Sequence, residues 1–156
     1  MPDPVPTPEA TLFAVFNEVG ILQQLSRAIL EARLPEGFNQ PQFSVLNHLV
    51  RVKDGQTPLA LARAFQVPKT SMTHSLAVLE RHGLVEMRPN ARDGRSKCVF
   101  LTDAGRAFLI RTLDALRPDM AAICGAYPVE TLAPVLPVLT ALRQVMDRMR
   151  DERSET

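Results

Sequence analysis

The chain predicts a mainly α-helical fold with one small β-hairpin, and three features of its 156 residues lead there. Long stretches repeat apolar residues every three or four positions, the period of amphipathic helices. One stretch, 84–101, reads instead as two short strands around a turn rich in Pro, Asn, Asp and Gly. Between residues 57 and 106 the order is two short helices with a tight joint, two strands around a basic tip, then a new helix. That order is a winged helix-turn-helix, a device for placing one helix in a DNA groove and a loop beside it. Longer helices flank it on both sides.

Taken from the N-terminus, residues 1–6 (MPDPVP) are Pro-rich and uncapped, and are expected to be disordered. Thr7-Pro8 supplies an N-cap and a first-turn proline for a helix to about Ala32. Its apolar positions Leu12, Phe13, Phe16, Val19, Leu22, Leu25 and Ile29 form one continuous face. The Leu34-Pro35-Glu36-Gly37 stretch breaks it. A second helix spans 41–52, with Phe43, Leu46, Leu49 and Val50 expected inward, and Lys53-Asp54-Gly55 ends it.

The third helix, 58–65, starts on Pro58, where a missing N–H costs little, and turns Leu59, Leu61, Ala62 and Phe65 toward a broad apolar face. Gln66-Val67 leaves room only for a tight joint, and Pro68 can open the fourth helix, 68–82. There Met72, Leu76 and Leu79 fall at i, i+4 and i+7, one buried stripe. The other side presents Thr70, Thr73, His74, Ala77 and Arg81, with Lys69 and Ser71 on its flanks. These side chains are short enough to let a helix approach base edges and phosphates.

Gly83 suits a helix C-cap behind the basic pair Arg81-His82. Residues 84–88 then read as a strand, 89–95 as the turn, and 96–101 as the returning strand. Thr102 can cap a helix from Asp103 to about Gly125, with a kink expected at Pro118. A last helix runs from near Pro128 to about Arg150, and Pro134 and Pro137, early in it, predict a bend or a frayed start there. Leu132, Val135, Leu139, Leu142, Met146 and Met149 along it are spaced 3, 4, 3, 4 and 3, a coiled-coil-like seam. By pattern alone that seam could close against a second copy of the chain or pack on the chain's own long helices.

Charge is unevenly spread. Residues 63–106 hold eight Lys/Arg (Arg63, Lys69, Arg81, Arg88, Arg92, Arg95, Lys97, Arg106) against four acids (Glu80, Glu86, Asp93, Asp103). The segment is therefore +4 while the whole chain is +1. A local basic surplus suits phosphate binding, because neutralised phosphates release condensed counterions. With 5% aromatics and no Trp, there are few platforms for stacking unpaired bases, so duplex DNA fits better than single strands.

The middle third resembles the MarR-type family of bacterial transcriptional regulators. Three motifs carry the likeness: Leu61-Ala62…Val67 leading into the fourth helix, Gly83-Leu84-Val85 after it, and Asp93-x-Arg95 followed by Leu101-Thr102-x-x-Gly105. Each is weak alone, but their order and spacing together are specific. One departure stands out: where the family often has a basic residue directly before the wing, this chain has Met87, with Arg88 one place on.

The resemblance implies a homodimer whose N- and C-terminal helices (7–40 and 107–156) interlock around a 41–106 DNA-binding domain. It implies a repressor that binds a pseudo-palindromic operator. The candidate DNA-binding residues are Lys69, Thr70, Ser71, Thr73 and His74 on the helix, with Arg88, Arg92, Asp93, Arg95 and Lys97 on the hairpin. Arg95 would reach a minor groove, where an A·T-rich sequence has enhanced negative potential, while Asp93 orients nearby cations. A small aromatic effector in a crevice lined by residues from 12–30, 43–50 and 108–116 is a further implication of the family.

Other classes find less support. No G-x-S-x-G or P-loop appears, so no enzyme is expected. His48, His74, His82, Cys98 and Cys124 are scattered without metal-site spacing, so no metal or other cofactor is expected. The two cysteines make no disulfide framework, and both are expected to be buried and inert although Cys98 neighbours Arg95 and Lys97. No apolar run approaches the ~18 residues of a membrane span, and the chain reads as soluble and cytosolic. The remaining alternative is a winged-helix module for protein–protein contact, in which the helix face and wing are merely solvated.

Overall fold

Thr7 opens the first helix as its composition suggests, its hydroxyl accepting the Ala10 N–H at 3.2 Å. The computed structural model describes residues 7–154; the expected disorder of 1–6 lies outside the described residues. Helix α1 (Pro8–Glu31) is followed by α2 (Gln40–Arg51), α3 (Pro58–Phe65), α4 (Lys69–Arg81), an antiparallel hairpin of β1 (Val85–Asn90) and β2 (Asp93–Leu101), α5 (Asp103–Ala126) and α6 (Val135–Ser154). The chain divides into two compact units, one ending at Leu116 and the next beginning at Arg117.

In the first unit the core is one cluster drawn from every element after α1. Leu46 and Leu49 of α2, Leu61 of α3, Leu76 and Leu79 of α4, Val85, Val99 and Leu101 of the hairpin and Phe108 of α5 all belong to it. The buried stripe of α2 is Gln42, Val45, Leu46 and Leu49, at i, i+3, i+4 and i+7. Val50 lies about 100° round the helix from Leu49 and is exposed, contrary to its expected inward place. Leu59 is likewise exposed, while Leu61 and Ala62 face the core. The two buried polar side chains among the described residues are satisfied. Gln42 Oε1 accepts the Asn39 N–H at 3.0 Å, half of a capping box, and Thr112 donates to the Phe108 carbonyl at 3.0 Å.

Backbone geometry explains the tight turn between α3 and α4. Gln66 adopts the left-handed conformation (φ 52°), while its N–H bonds the Arg63 carbonyl and the Val67 N–H bonds that of Ala62. That pair of bonds is a Schellman motif with a non-glycine residue at the left-handed position. The same motif closes α4 with the residue such a turn favours. Gly83 has φ 68°, its N–H bonds Glu80, and the Leu84 N–H bonds Leu79.

A third strand position supports the hairpin. Gly55 donates its N–H to the Val99 carbonyl at 3.0 Å, and Val99 donates back to Gln56 at 2.8 Å. The hairpin itself runs further than its turn residues imply. Asn90 pairs with Asp93 around a two-residue tip, Ala91-Arg92, and the register shifts between Pro89 and Asn90. Pro89, Asn90, Asp93, Gly94 and Arg95 therefore sit in strands rather than in a loop. Thr102 caps α5 through Gly105 N–H at 3.0 Å and also donates to the Gly83 carbonyl at 2.7 Å.

In the second unit, α5 continues through Pro118. The last helix breaks at its start, as its early prolines imply: a 3-10 turn, Val129–Leu132, comes before α6. Pro134 lies between them, and Leu132 is thus off the helix that carries the rest of the seam. Thr131 closes the turn by donating to the Pro128 carbonyl at 2.7 Å. Along α6, Asp147 joins Arg143 at 2.9 Å and Arg150 at 3.1 Å. No single helix among the described residues is long and apolar enough to cross a membrane.

Candidate nucleic-acid interface

Helix α4 presents two chemically different sides. Met72, Leu76, Val78 and Leu79 are buried and fix its rotation against the core. Lys69, Thr70, Ser71, Thr73 and His74 are all exposed. Thr73 donates its hydroxyl to the Lys69 carbonyl at 2.8 Å, so its lone pairs and methyl remain for an outside partner. Thr70, Ser71 and His74 border one cleft of about 490 Å³, whose other wall is built from Asn39, Pro41, Val45, Phe65 and Val67. The three residues thus share a surface, as their spacing implies.

The hairpin presents Arg92, Asp93, Arg95 and Lys97, all exposed. The tip is held by side chains of the turn and of the returning strand. Asn90 Nδ2 donates to Ser96 Oγ at 2.8 Å, Asn90 Oδ1 accepts the Arg92 N–H at 3.0 Å, and Ser96 Oγ donates to the Asp93 carbonyl at 3.1 Å. Asp93 Oδ1 accepts the Arg95 N–H at 3.0 Å. The Asp93 carboxylate therefore holds main chain at the base of Arg95.

Arg88 stands apart from the tip residues. Its guanidinium lies 4.6 Å from the centre of the Phe100 ring and pairs with the Glu86 carboxylate. Met87, at the place where a basic residue is common, packs against the core instead. The chain's departure from the family pattern thus has a local reason: that strand position points inward here, and the next carries the charge.

Of the remaining candidates, His48 contacts the Phe65 ring (5.2 Å between centres) and approaches Gln56 Nε2 at 3.0 Å. Cys98 is buried, as expected, but Cys124 is exposed. The Cys124 expectation was therefore wrong: it lies near the C-terminal end of α5, beyond the part of that helix that joins the core.

The MarR family model matches residues 36–96, which span α2 through most of the wing. Over that stretch the chain resembles the MarR family. The chain is 27% identical over 142 residues to the transcriptional activatory protein BadR of Rhodopseudomonas palustris, covering 89% of this chain and 79% of that protein. Among solved structures it is similar to the transcriptional regulator BldR of Sulfolobus solfataricus (TM-score 0.72, 20% identity, 92% of this chain and 99% of the other). It is also similar to apo MarR of E. coli (TM-score 0.68, 23% identity, 81% and 94%). The named relatives include transcriptional regulators, and the solved structures share this chain's fold.

Proposed function

We propose that the chain is a homodimeric repressor that binds a pseudo-palindromic operator, each head placing α4 in a major groove and the hairpin tip beside the minor groove. The observation that carries this reading is the division within α4 and the hairpin: their apolar stripes are buried while all ten candidate contact residues stay exposed. In this reading Lys69, Thr70, Ser71, Thr73 and His74 meet bases and phosphates. Arg92, Arg95 and Lys97 meet the backbone and minor groove, Asp93 sets the Arg95 main chain, and Arg88 contributes charge from its seat on Phe100.

Two apolar faces support the dimer. Leu12, Phe13, Phe16, Val19, Leu22 and Leu25 of α1 are exposed in the single chain, as are Val135, Leu139, Met146 and Met149 of α6. Contiguous apolar surface of this kind marks an interaction site, and twofold pairing supplies the two heads a palindrome requires. Half-sites then lie about one helical turn apart, ~10 bp. A small aromatic effector would act by favouring one spacing of the heads over another; Ile110 and Leu113 of α5 are exposed apolar candidates to meet it with the α1 face.

Selection from random duplex DNA, with the mass of the complex measured in solution, tests the reading. It expects an inverted repeat bound by two chains. A promoter reporter carrying that repeat should be silenced by the chain and released by the effector. Selection of no sequence, or a folded monomer at micromolar concentration, would overturn it in favour of a protein-binding module.

A further inference from the structure

The junction between α1 and α2 is tied by one carboxylate. Arg27 and Glu31 sit four residues apart in the last turns of α1, and Arg27 Nε donates to Glu31 Oε1 at 3.1 Å. The same oxygen accepts the backbone N–H of Gln40, the first residue of α2, at 3.0 Å. That N–H is one of the donors a helix start leaves without an internal partner. Its neighbours are handled within α2's own capping box by Asn39 and Gln42. Glu31 is therefore a side chain from α1 completing the start of a helix in the reading head.

The segment between the helices is also pinned. The Phe38 ring lies 4.8 Å from His82, at the end of α4, and 4.8 Å from Phe108 on α5. Leu34 packs against the core. The head side of the junction is thus fixed to the reading helix, and the α1 side is fixed to the head through Glu31. The Gln40 N–H, with help from Arg27 and against partial desolvation, holds the Glu31 carboxyl below its ordinary range. The tie is accordingly made by an anion at neutral pH.

We propose that Glu31 is a positioning residue that sets the angle between α1 and the reading head, and so the spacing of half-sites a dimer accepts. The inference rests on the dimeric, operator-binding reading above. In that reading α1 belongs to the shared interface and α4 to the head, so the angle at their junction becomes the distance between two reading helices.

Spin labels at Gln24→Cys on α1 and Glu80→Cys on α4, in a Cys98→Ala/Cys124→Ser background diluted with unlabelled chain, read the angle directly without DNA. Glu31→Ala should broaden the distance distribution about twofold, while Glu31→Gln, whose amide oxygen still accepts the Gln40 N–H, should stay close to the parent. An unchanged distribution in Glu31→Ala overturns the proposal. A panel of duplexes with half-sites stepped one base pair at a time supplies the second readout. The parent should favour one spacing about tenfold, and Glu31→Ala should accept neighbouring spacings within about threefold while binding a single half-site as before. A broadened distribution with an unaltered spacing profile overturns the link to the operator. A parent chain without any spacing preference overturns the dimeric reading itself, whatever the labels report.

Discussion

The Asp54 carboxylate accepts the backbone N–H of Leu101 at 3.0 Å, joining the loop after α2 to the end of β2 across 47 residues of sequence. The same oxygen accepts the Gly55 N–H at 3.0 Å, and the other lies 3.9 Å from Arg106 Nη2. Asp54 therefore anchors the base of the wing at the point where Gly55 and Gln56 pair with Val99. Asp54→Ala should cost about 1.5–3 kcal/mol of stability, the range for a hydrogen bond to a charged group. Urea unfolding would show it as a lower midpoint with little change in slope. An unchanged midpoint would mean the anchor is incidental.

Three small substitutions should separate backbone effects of opposite sign. A Cβ on Gly105 would run into the Leu84 carbonyl, so Gly105→Ala should destabilise by about 1–3 kcal/mol through overpacking. Gly83→Ala meets open space but carries a positive φ, and should cost about 1 kcal/mol for strain alone. Gln66→Gly should do the reverse and stabilise by up to about 1 kcal/mol, because Gln66 holds the same conformation without a glycine's freedom. Thermal unfolding of the three variants checks the order.

At the wing tip, removing a negative charge should weaken DNA binding. Asp93 holds the Arg95 N–H, so Asp93→Ala frees the main chain that aims Arg95. Affinity for the selected operator should fall, whereas a purely repulsive Asp93 would make the variant bind more tightly. Arg95→Ala should weaken binding broadly and flatten the salt slope by about one unit, and Thr73→Ala or His74→Ala should cost ~1–3 kcal/mol mainly on the preferred sequence. Fluorescence anisotropy with operator and random duplexes reads all four.

Glu31 also predicts a pH effect. Its folded pKa lies below the ordinary value of 4.5, so the stability it contributes is present above that pH and is lost as pH falls through the folded value. Glu31→Gln should therefore lose less stability than the parent on acidification below about pH 4.5, with the curves parallel from there to neutrality. Equal acid sensitivity in the two proteins would exclude the carboxylate.

Period and punctuation in the sequence are enough to place most of the reading head. Met72, Leu76 and Leu79 define the rotation of α4, and Gly83 and Thr102 mark the ends they cap. What they leave out depends on contacts distant in sequence. Asp54 reads as a loop residue until Leu101 is beside it, and Glu31 reads as a helix-end charge until Gln40 folds back to it. Leu59 and Val50 are apolar at positions that only the packing of neighbours can sort into core and surface. The wing's length was hidden because Pro89, Asn90, Asp93 and Gly94 are turn formers by composition, yet a register shift lets them pair. Pro134 and Pro137 do mark the break before α6, but not the 3-10 form of the turn that precedes it.

The central claim is that the exposed face of α4 and the hairpin tip bind duplex DNA through phosphates, and the salt dependence of binding to the selected operator tests it most directly. With several phosphates neutralised per chain, log affinity should fall linearly with log salt, at a slope of about −0.9 per phosphate contact. The account predicts a steep slope for the intact chain and one shallower by about one unit for Arg95→Ala. A flat salt dependence, or the same slope in both proteins, would contradict it.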